Sequence, residues 1–279
     1  MYLLSKKSSI EWCENNYEYS NYISELFNTL TGACLAFCAL FFYLNHKFDK
    51  DVLLFNNILI VLTILGVGTM FFHATLLYVF QMMDEIPMLF LCFEYMRIIH
   101  NNLLGIPNHG FILNIQKKIY IFSFFIICIG YYSNFFQVFL FQMSILSLVL
   151  YLLILINTIN IRHKKYHHKI LIKRNILEQQ YLNYFNINNE LRLLDYNLEY
   201  INKLDKKLKL YKSYFYLSIV SSLLFWSIDN FYCDLLKELN ISINGHALWH
   251  IITSIGLYYS NMIILVYLKK TRQYVYLLK

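Results

Sequence analysis

The sequence predicts an all-α polytopic membrane protein, a bundle of seven transmembrane helices. Of its 279 residues, 58% are hydrophobic and only 15% are charged, whereas a soluble domain normally carries about 25% charged residues. A protein that faces water on all sides needs more charge than this to cover its surface. The chain also has only 2 prolines and 8 glycines, a composition that permits long uninterrupted helices.

Seven apolar stretches approach the roughly 20 residues that a helix needs to cross a bilayer. They are 27–45, 53–76, 83–99, 118–133, 137–158, 212–231 and 246–268. Only the residues around Ser133 and Phe136 separate the fourth stretch from the fifth, which predicts a tight antiparallel pair; one long broken helix there would give six spans instead. The chain then divides into an N-terminal segment (1–26), a membrane domain (27–268) and a tail (269–279).

Basic residues are distributed unequally between the two sides of this bundle. The loops after the first, third and fifth stretches and the C-terminal tail hold 21 of the 24 Lys and Arg residues. The opposite side has only Lys6, Lys7 and Lys237. Because basic loops tend to stay in the cytosol, we expect a lumenal or external N-terminus and a cytosolic C-terminus. This asymmetry accounts for the net charge of +7, so the bilayer is the expected partner and a nucleic acid is not.

The stretch 159–211, between the fifth and sixth apolar stretches, is the one large insert on the cytosolic side. It mixes charges with apolar residues at roughly helical spacing from Leu177 to Leu208. A surface-lying or coiled helix fits this pattern. A solvated cytosolic insert with no catalytic role fits it as well.

Three histidines belong to apolar stretches on the side opposite the basic loops. His73 lies late in the second stretch, and His246 and His250 open the seventh. Ionisable groups in membrane helices are costly, so they mark functional sites by default. The i, i+4 spacing of His246 and His250 puts both imidazoles on one helix face. Thr69, one turn before His73, and Asp84, at the start of the third stretch, lie on the same side of the membrane.

Three imidazoles, a carboxylate and a hydroxyl at one depth predict a three-histidine zinc site with an open position for water. The alternative is that each histidine bonds a backbone carbonyl or a neighbouring helix. The other six histidines lie in loops or near helix ends on the basic side: His46, His100, His109, His163, His167 and His168.

Acidic residues cluster just before the first apolar stretch, on the same side as the three histidines. They are Glu11, Glu14, Glu18 and Glu25, with Asn16 nearby. Hard oxygen ligands close together in sequence can hold Ca²⁺. An ordinary acidic N-terminal segment is the alternative.

Three sequence blocks carry a family resemblance. They are Ile-Glu-Trp-Cys-Glu at 10–14 with Asn16 and then Ser-Glu-Leu-Phe-Asn-Thr at 24–29; Phe-His-Ala-Thr-Leu at 72–76 with Gln-Met-Met-Asp-Glu-Ile-Pro-Met at 81–88; and Phe-Trp-Ser-Ile-Asp-Asn at 225–230 with His-Ala-Leu-Trp-His at 246–250. Together they resemble the alkaline ceramidases, within a superfamily of seven-helix hydrolases that also holds adiponectin-type receptors. The resemblance spans all seven stretches, whereas the insert has no counterpart in it.

The resemblance implies a role for each matching residue. It makes His73, His246 and His250 zinc ligands and Asp84 the catalytic carboxylate. The implied calcium ligands are Glu11, Trp12 (through its backbone carbonyl), Glu14, Asn16 and Glu25. Thr69 stands where the family usually has serine, so a hydroxyl is kept while an extra methyl crowds the site.

The resemblance also implies a lumenal disulfide, which Cys13 and Cys233 can form. The remaining cysteines fall within apolar stretches and are expected to be core residues: Cys34, Cys38, Cys92 and Cys128. The implied location is the membrane of the endoplasmic reticulum or the Golgi.

The expected reaction is hydrolysis of ceramide, or a related N-acyl sphingoid base, to a long-chain base and a fatty acid. In this hypothesis Asp84 takes a proton from water and later delivers it to the leaving amine, while Thr69 or zinc steadies the oxyanion. Two other classes stay open. One is a receptor of the adiponectin type that uses the metal structurally, and the other is a metal or proton transporter with Glu94 and Asp229 continuing the path.

Overall fold

The computed structural model describes residues 6–104, 137–181, 188–239 and 244–278, together with the single residues 118 and 125. Within this part the protein is helical, apart from an isolated antiparallel bridge between Lys7 and Leu77. The all-α class is therefore confirmed. In chain order the helices are α1 (Leu26–His46), α2 (Asn56–Thr75), α3 (Tyr78–Ile98), α4 (Gln137–Tyr181), α5 (Asn188–Phe231), α6 (Cys233–Glu238) and α7 (Gly245–Leu278).

Four helical stretches in the described ranges are long and apolar enough to cross a membrane: Leu26–His46, Lys50–Thr75, Phe139–Gln180 and Gly245–Leu278. They contain the first and seventh predicted stretches and, except for one or two terminal residues, the second and fifth. The third and sixth stretches lie in α3 and α5, which are less apolar. The fourth, 118–133, lies outside the described residues except for residues 118 and 125, so a count of seven spans stays a prediction, as does the alternative of six.

Three helices continue far beyond their apolar stretches. α4 runs on to Tyr181, α5 begins at Asn188 and α7 ends at Leu278, so residues of the insert and the tail belong to the same helices as the fifth, sixth and seventh apolar stretches. A separate hydrophobic cluster joins the three extensions: Ile170, Leu194, Leu198, Ile201, Tyr274 and Leu277. Of the two helical alternatives for the insert, the coiled arrangement fits its described residues and the surface-lying helix does not.

The turn between α2 and α3 is tight and begins earlier than predicted. Leu76 ends α2 in the left-handed conformation (φ 50°), and its N–H donates to the carbonyl of Phe72 over 2.7 Å. α3 therefore starts at Tyr78, and Asp84 lies in its second turn. Placing Asp84 at the start of this helix was wrong, because hydropathy detects where a helix becomes apolar and not where its backbone begins to coil.

A glycine lets α2 and α3 approach closely beside this turn. A Cβ at Gly68 would lie 2.3 Å from the carbonyl oxygen of Met83, so any larger residue would push the two helices apart. α1 packs against α2 and α7, and α7 also contacts α4 and α5. This packing brings the start of α1, the end of α2 and the starts of α3 and α7 together at one end of the bundle.

Candidate metal centre and active site

His73, His246 and His250 meet at that end of the bundle. Their ligand atoms all lie within 4.8 Å of one another. Among the residues that the structure describes, no other group of three or more His, Cys, Asp or Glu side chains comes this close. The side chains are almost completely buried, with 0%, 3% and 0% of their surface exposed. Spacing and topology predicted this convergence, and the structure brings the three residues together.

Two of these imidazoles are oriented by a hydrogen bond at Nδ1. His73 Nδ1 lies 2.6 Å from Glu25 Oε2, and His250 Nδ1 lies 3.0 Å from Thr31 Oγ1. The Thr31 hydroxyl itself donates to the carbonyl of Phe27 over 2.8 Å, so it accepts from His250. With the proton on Nδ1, each ring presents its Nε2 lone pair to the shared space. Neither Nε2 atom has a hydrogen-bond partner within the described ranges.

The third imidazole, His246, is held by stacking. Its ring lies 3.5 Å from that of Trp12 at an interplanar angle of 15°, and 5.1 Å from that of Trp249 at 12°. Its Nδ1 is buried and has no partner in the described part of the chain. Three buried nitrogen atoms without protein partners are the donor set that zinc prefers. These residues therefore can form a metal site.

Asp229 fixes the start of α7, which carries two of the histidines. Its Oδ1 accepts the backbone N–H of His246 and its Oδ2 accepts that of Cys13, each over 3.0 Å. The side chain is only 3% exposed. A carboxylate at a helix N-terminus satisfies free N–H groups and favours the positive end of the helix dipole. Asp229 thus links the N-terminal segment to the helix that carries His246 and His250.

Thr69, one helical turn before His73 on α2, forms a buried pair with Asp84 of α3. The Thr69 hydroxyl contacts both Asp84 Oδ1 and the carbonyl of Leu65, the latter over 2.8 Å. The extra methyl of Thr69 is accommodated by Gly32, because a Cβ at that position would lie 2.8 Å from Thr69 Cγ2. The crowding expected from threonine in place of serine is therefore relieved by a glycine on α1.

The N-terminal segment, residues 6–25, is fastened over this site at several points. Ser8 N–H donates to Leu76 O over 2.9 Å, and Glu25 N–H donates to His73 O over 3.1 Å. Cys13 and Cys233 form a disulfide with a Cα–Cα distance of 5.4 Å. Because Trp12 belongs to this segment, the segment contacts His246 directly.

Of the other cysteines, Cys38 and Cys92 are buried, Cys34 is half-buried, and all three are free thiols. This fits the expectation of core residues. Cys128 lies outside the described residues.

The acidic cluster divides into two buried and three exposed side chains. Glu14 and Glu25 are 5% and 1% exposed, whereas Glu11, Asn16 and Glu18 are exposed. The Glu14 carboxylate accepts the backbone N–H groups of Phe27 and Asn28 over 2.7 and 2.8 Å, which caps α1. Burial raises the pKa of Glu14, and it raises the pKa of Glu25 to about 7.

Glu25 lies between the histidines and the acidic cluster. Its Oε2 contacts His73, while its Oε1 is buried and has no hydrogen-bond partner among the described residues. A buried carboxylate oxygen without a donor favours a cation nearby. This oxygen is the observation that fits the calcium ligand set of Glu11, Trp12, Glu14, Asn16 and Glu25, which stays a prediction.

Sequence reasoning missed Thr31, Gly32 and the hydrogen bonds of Asp229. Thr31 lies three residues after Asn28 in an otherwise apolar helix, so a polar stripe on α1 was the available signal. Asp229 is a carboxylate in an apolar helix; it belongs to one of the blocks that carry the resemblance and was a candidate for continuing a transport path, but neither observation indicated that it caps α7. Nothing in the sequence shows that Gly32 faces Thr69, since that contact depends on how α1 packs against α2.

Comparisons with known proteins show the family of this chain. A family model described as Ceramidase matches residues 5–276. The alkaline ceramidase of Arabidopsis thaliana is 26% identical over 257 residues, covering 91% of this chain and 81% of that protein. Alkaline ceramidase YPC1 of Saccharomyces cerevisiae is 40% identical over 86 residues, covering 30% of this chain and 26% of that protein. Alkaline ceramidase 1 of Mus musculus is 32% identical over 88 residues, covering 31% and 32%.

Proposed function

The chain belongs to the ceramidase family, and from that premise we propose that it is a zinc-dependent amidase of the membrane. Its substrate is ceramide or a related N-acyl sphingoid base, and its products are a long-chain base and a free fatty acid. The observation that carries this proposal is the convergence of three buried imidazoles whose ligand atoms lie within 4.8 Å of one another. The buried carboxylate of Asp84 contacts the hydroxyl of Thr69, which lies one helical turn before His73.

The proposed zinc ligands are His73 and His250 through Nε2, and His246 through a ring nitrogen. A zinc ion in such a site acts as a Lewis acid, which polarises a carbonyl and makes water more acidic. Each proposed ligand has a partner in the protein that fixes its ring. Glu25 orients His73 and Thr31 orients His250. Trp12 packs on His246. Dedicated partners of this kind keep ligand atoms in place and raise metal affinity.

Asp84 handles the proton in the proposed reaction. It removes a proton from the attacking water as the C–O bond forms, and it returns that proton to the amine nitrogen as the C–N bond breaks. One carboxylic acid and one amine result, and Asp84 ends in its starting state. This uses a single carboxylate first as base and then as acid.

Thr69 acts in this scheme by positioning Asp84. Its hydroxyl has one proton, and that hydroxyl already contacts Asp84 Oδ1 and Leu65 O. A direct role at the oxyanion would require this proton to turn away from both acceptors. The hydroxyl therefore fixes the carboxylate and leaves its other oxygen, Oδ2, for proton transfer.

Calcium is proposed as a second, structural ion. Glu11, Trp12, Glu14, Asn16 and Glu25 would hold it, and the unpartnered Oε1 of Glu25 supports this assignment. An ion there would reach His73 through Glu25 and would fasten the N-terminal segment over the site. Calcium would thus change the affinity for zinc without contacting the substrate.

The bilayer supplies the substrate and sets the orientation in this proposal. A lipid with two alkyl tails reaches the site sideways from the membrane. The positive-inside rule places the site and the N-terminus on the lumenal side and the C-terminus in the cytosol. The endoplasmic reticulum or the Golgi is the proposed membrane.

The test is turnover of a labelled ceramide by purified Asp84→Asn protein in detergent micelles, with zinc measured on the same sample. We expect turnover to fall by about 10²–10⁴-fold while the zinc content is kept, since Asp84 is not a ligand. Glu94→Gln is the matched control, because Glu94 lies on the same helix and pairs with Arg97 over 2.7 Å. Wild-type turnover by the Asn variant would refute the role of Asp84.

A further inference from the structure

A cleft lies between α4, α5 and α7, at the end of the bundle opposite His73, His246 and His250. Its volume is about 680 Å³. Basic and polar side chains line it, among them Lys164, Lys209, Lys212, Lys270, His163 and His167. None of these residues belongs to the metal centre or to the acidic cluster.

The cleft carries an excess of positive charge. Asp205 is the one acidic residue in its lining, and it pairs with Lys270. Within the described ranges, no carboxylate lies within 4.0 Å of the ammonium groups of Lys164, Lys209 or Lys212. Lys212 donates to the side-chain oxygen of Asn160 over 3.1 Å. Three lysines thus line one cleft without a salt-bridge partner among the described residues, an arrangement that a bound anion would stabilise.

Two histidines add polar atoms to the same cleft. His163 is 4% exposed; its Nε2 contacts Thr271 Oγ1 over 2.9 Å, while its Nδ1 has no partner in the described part of the chain. Nδ1 of His167 is likewise buried and unpartnered within those residues. A buried polar atom without a partner costs free energy. Its presence in a basic cleft is a second feature that favours a polar ligand.

The level of the cleft along the bundle indicates where such a ligand comes from. α4 is apolar up to Ile159, α5 becomes apolar after Lys212, and α7 is apolar up to Leu268. The cleft therefore lies where all three helices change from apolar to basic sequence. In a membrane this is the level of the lipid headgroups on the side that holds most Lys and Arg residues.

We propose that this cleft binds a phosphate group, carried by an anionic lipid headgroup of the surrounding leaflet. Lysine ammonium groups are common phosphate ligands, and basic clusters beside membrane helices attract anionic lipids. A free phosphate has the same chemistry and is the other source. The proposal does not depend on zinc or on the hydrolase activity.

The test is a binding titration of the purified full chain in dodecyl maltoside micelles. The probes are dioctanoyl phosphatidylinositol 4-phosphate, dioctanoyl phosphatidylcholine and inorganic phosphate. The cleft variant is Lys209→Gln with Lys212→Gln. The matched control is Lys206→Gln with Lys207→Gln, which removes the same charge from the same helix, because both residues are exposed and neither lines the cleft.

We expect the phosphoinositide to bind the wild type and the control alike, and the cleft variant about tenfold to thirtyfold more weakly. A lipid source predicts no competition by inorganic phosphate, whereas competition at matched concentration assigns the cleft to free phosphate. Equal weakening of both double variants, equal affinity for phosphatidylcholine, or no binding of either phosphate source would overturn the proposal. If the cleft variant melts below the wild type, the single change Lys209→Gln at an exposed position replaces it, with a proportionally smaller expected loss.

Discussion

The two ends of the bundle differ in how far their paired polar residues are exposed. At the metal-centre end, His73, His250 and Thr69 are completely buried, and each has a dedicated partner on another helix or segment. The basic end also buries His163 and Lys270, but charged side chains such as Lys203 and Glu199 are more than half exposed there and pair along one helix. Hydrogen bonds are stronger and their loss more costly where water is excluded. We therefore expect substitutions at the metal-centre end to act through the loss of specific geometry, and substitutions at the basic end to act through the change in total charge.

The largest difference is expected between two histidines, one at each end. His250→Ala removes a buried metal ligand, so we expect loss of bound zinc and a fall in ceramide turnover of about 10³-fold or more. His168→Ala removes an exposed imidazole from the basic end and should change neither. Zinc analysis and turnover of the two purified variants measure this contrast. Equal zinc content and equal turnover in the two variants would contradict this difference between the two ends.

A smaller effect is expected from the residue that orients His73. Glu25→Gln keeps an acceptor near Nδ1 but removes the negative charge, so zinc affinity or activity should fall by about 10–100-fold. Glu18→Gln is the control on the same segment: Glu18 is exposed and accepts from the side chain of Asn15 over 3.0 Å, so this variant should behave as wild type. Zinc titration into stripped protein gives the affinities. An unchanged affinity for Glu25→Gln would show that this carboxylate does not support the ligand.

The contact between Gly32 and Thr69 offers a test of packing. Gly32→Ala places a Cβ 2.8 Å from Thr69 Cγ2, so the melting temperature and the turnover should both fall. In a Thr69→Ser background the clashing methyl is absent and the hydroxyl remains, so the same change should be much better tolerated. Thermal melts and turnover of the two singles and the double variant give the coupling. Additive losses would show that the methyl is not what Gly32 accommodates.

The smallest effect is expected at an exposed ion pair of the basic end. Lys203 and Glu199 contact each other over 2.8 Å with side chains 68% and 66% exposed. Solvent and salt screen such pairs, which contribute little to stability. Lys203→Gln should leave the melting temperature and turnover unchanged. A clear loss of either would mean that single interactions also matter at this end.

Hydropathy predicted where helices exist more accurately than where they end. The first stretch, 27–45, agrees with Leu26–His46, and the seventh begins one residue after Gly245. The sequence predicted a helix in the insert, but it did not predict that this helix continues α4 and α5 or that α7 extends to Leu278, because an apolar-run criterion stops where charge begins. The signal was present in Leu194, Leu198 and Ile201, whose spacing of three to four residues places them on the buried face of a helix.

The metal centre could be predicted in part because two separate observations, helical spacing and membrane topology, point to the same residues. Spacing put His246 and His250 on one face, and topology put His73 at the same depth. Thr31 depends on how α1 packs against α7, and no periodicity reports on such a neighbour. The role of Asp229 was missed for a similar reason, since its hydrogen bonds to His246 and Cys13 join residues far apart in sequence. The resemblance to alkaline ceramidases is confirmed at the level of the family.

The central claim is that three buried imidazoles hold a zinc ion on which amide hydrolysis depends. The most direct measurement follows zinc content and ceramide turnover together in purified protein, before chelation, after chelation and after zinc is restored. We expect one zinc ion per chain, a parallel loss of zinc and turnover, and recovery of both on adding zinc. Full turnover by protein from which all zinc has been removed would contradict the claim.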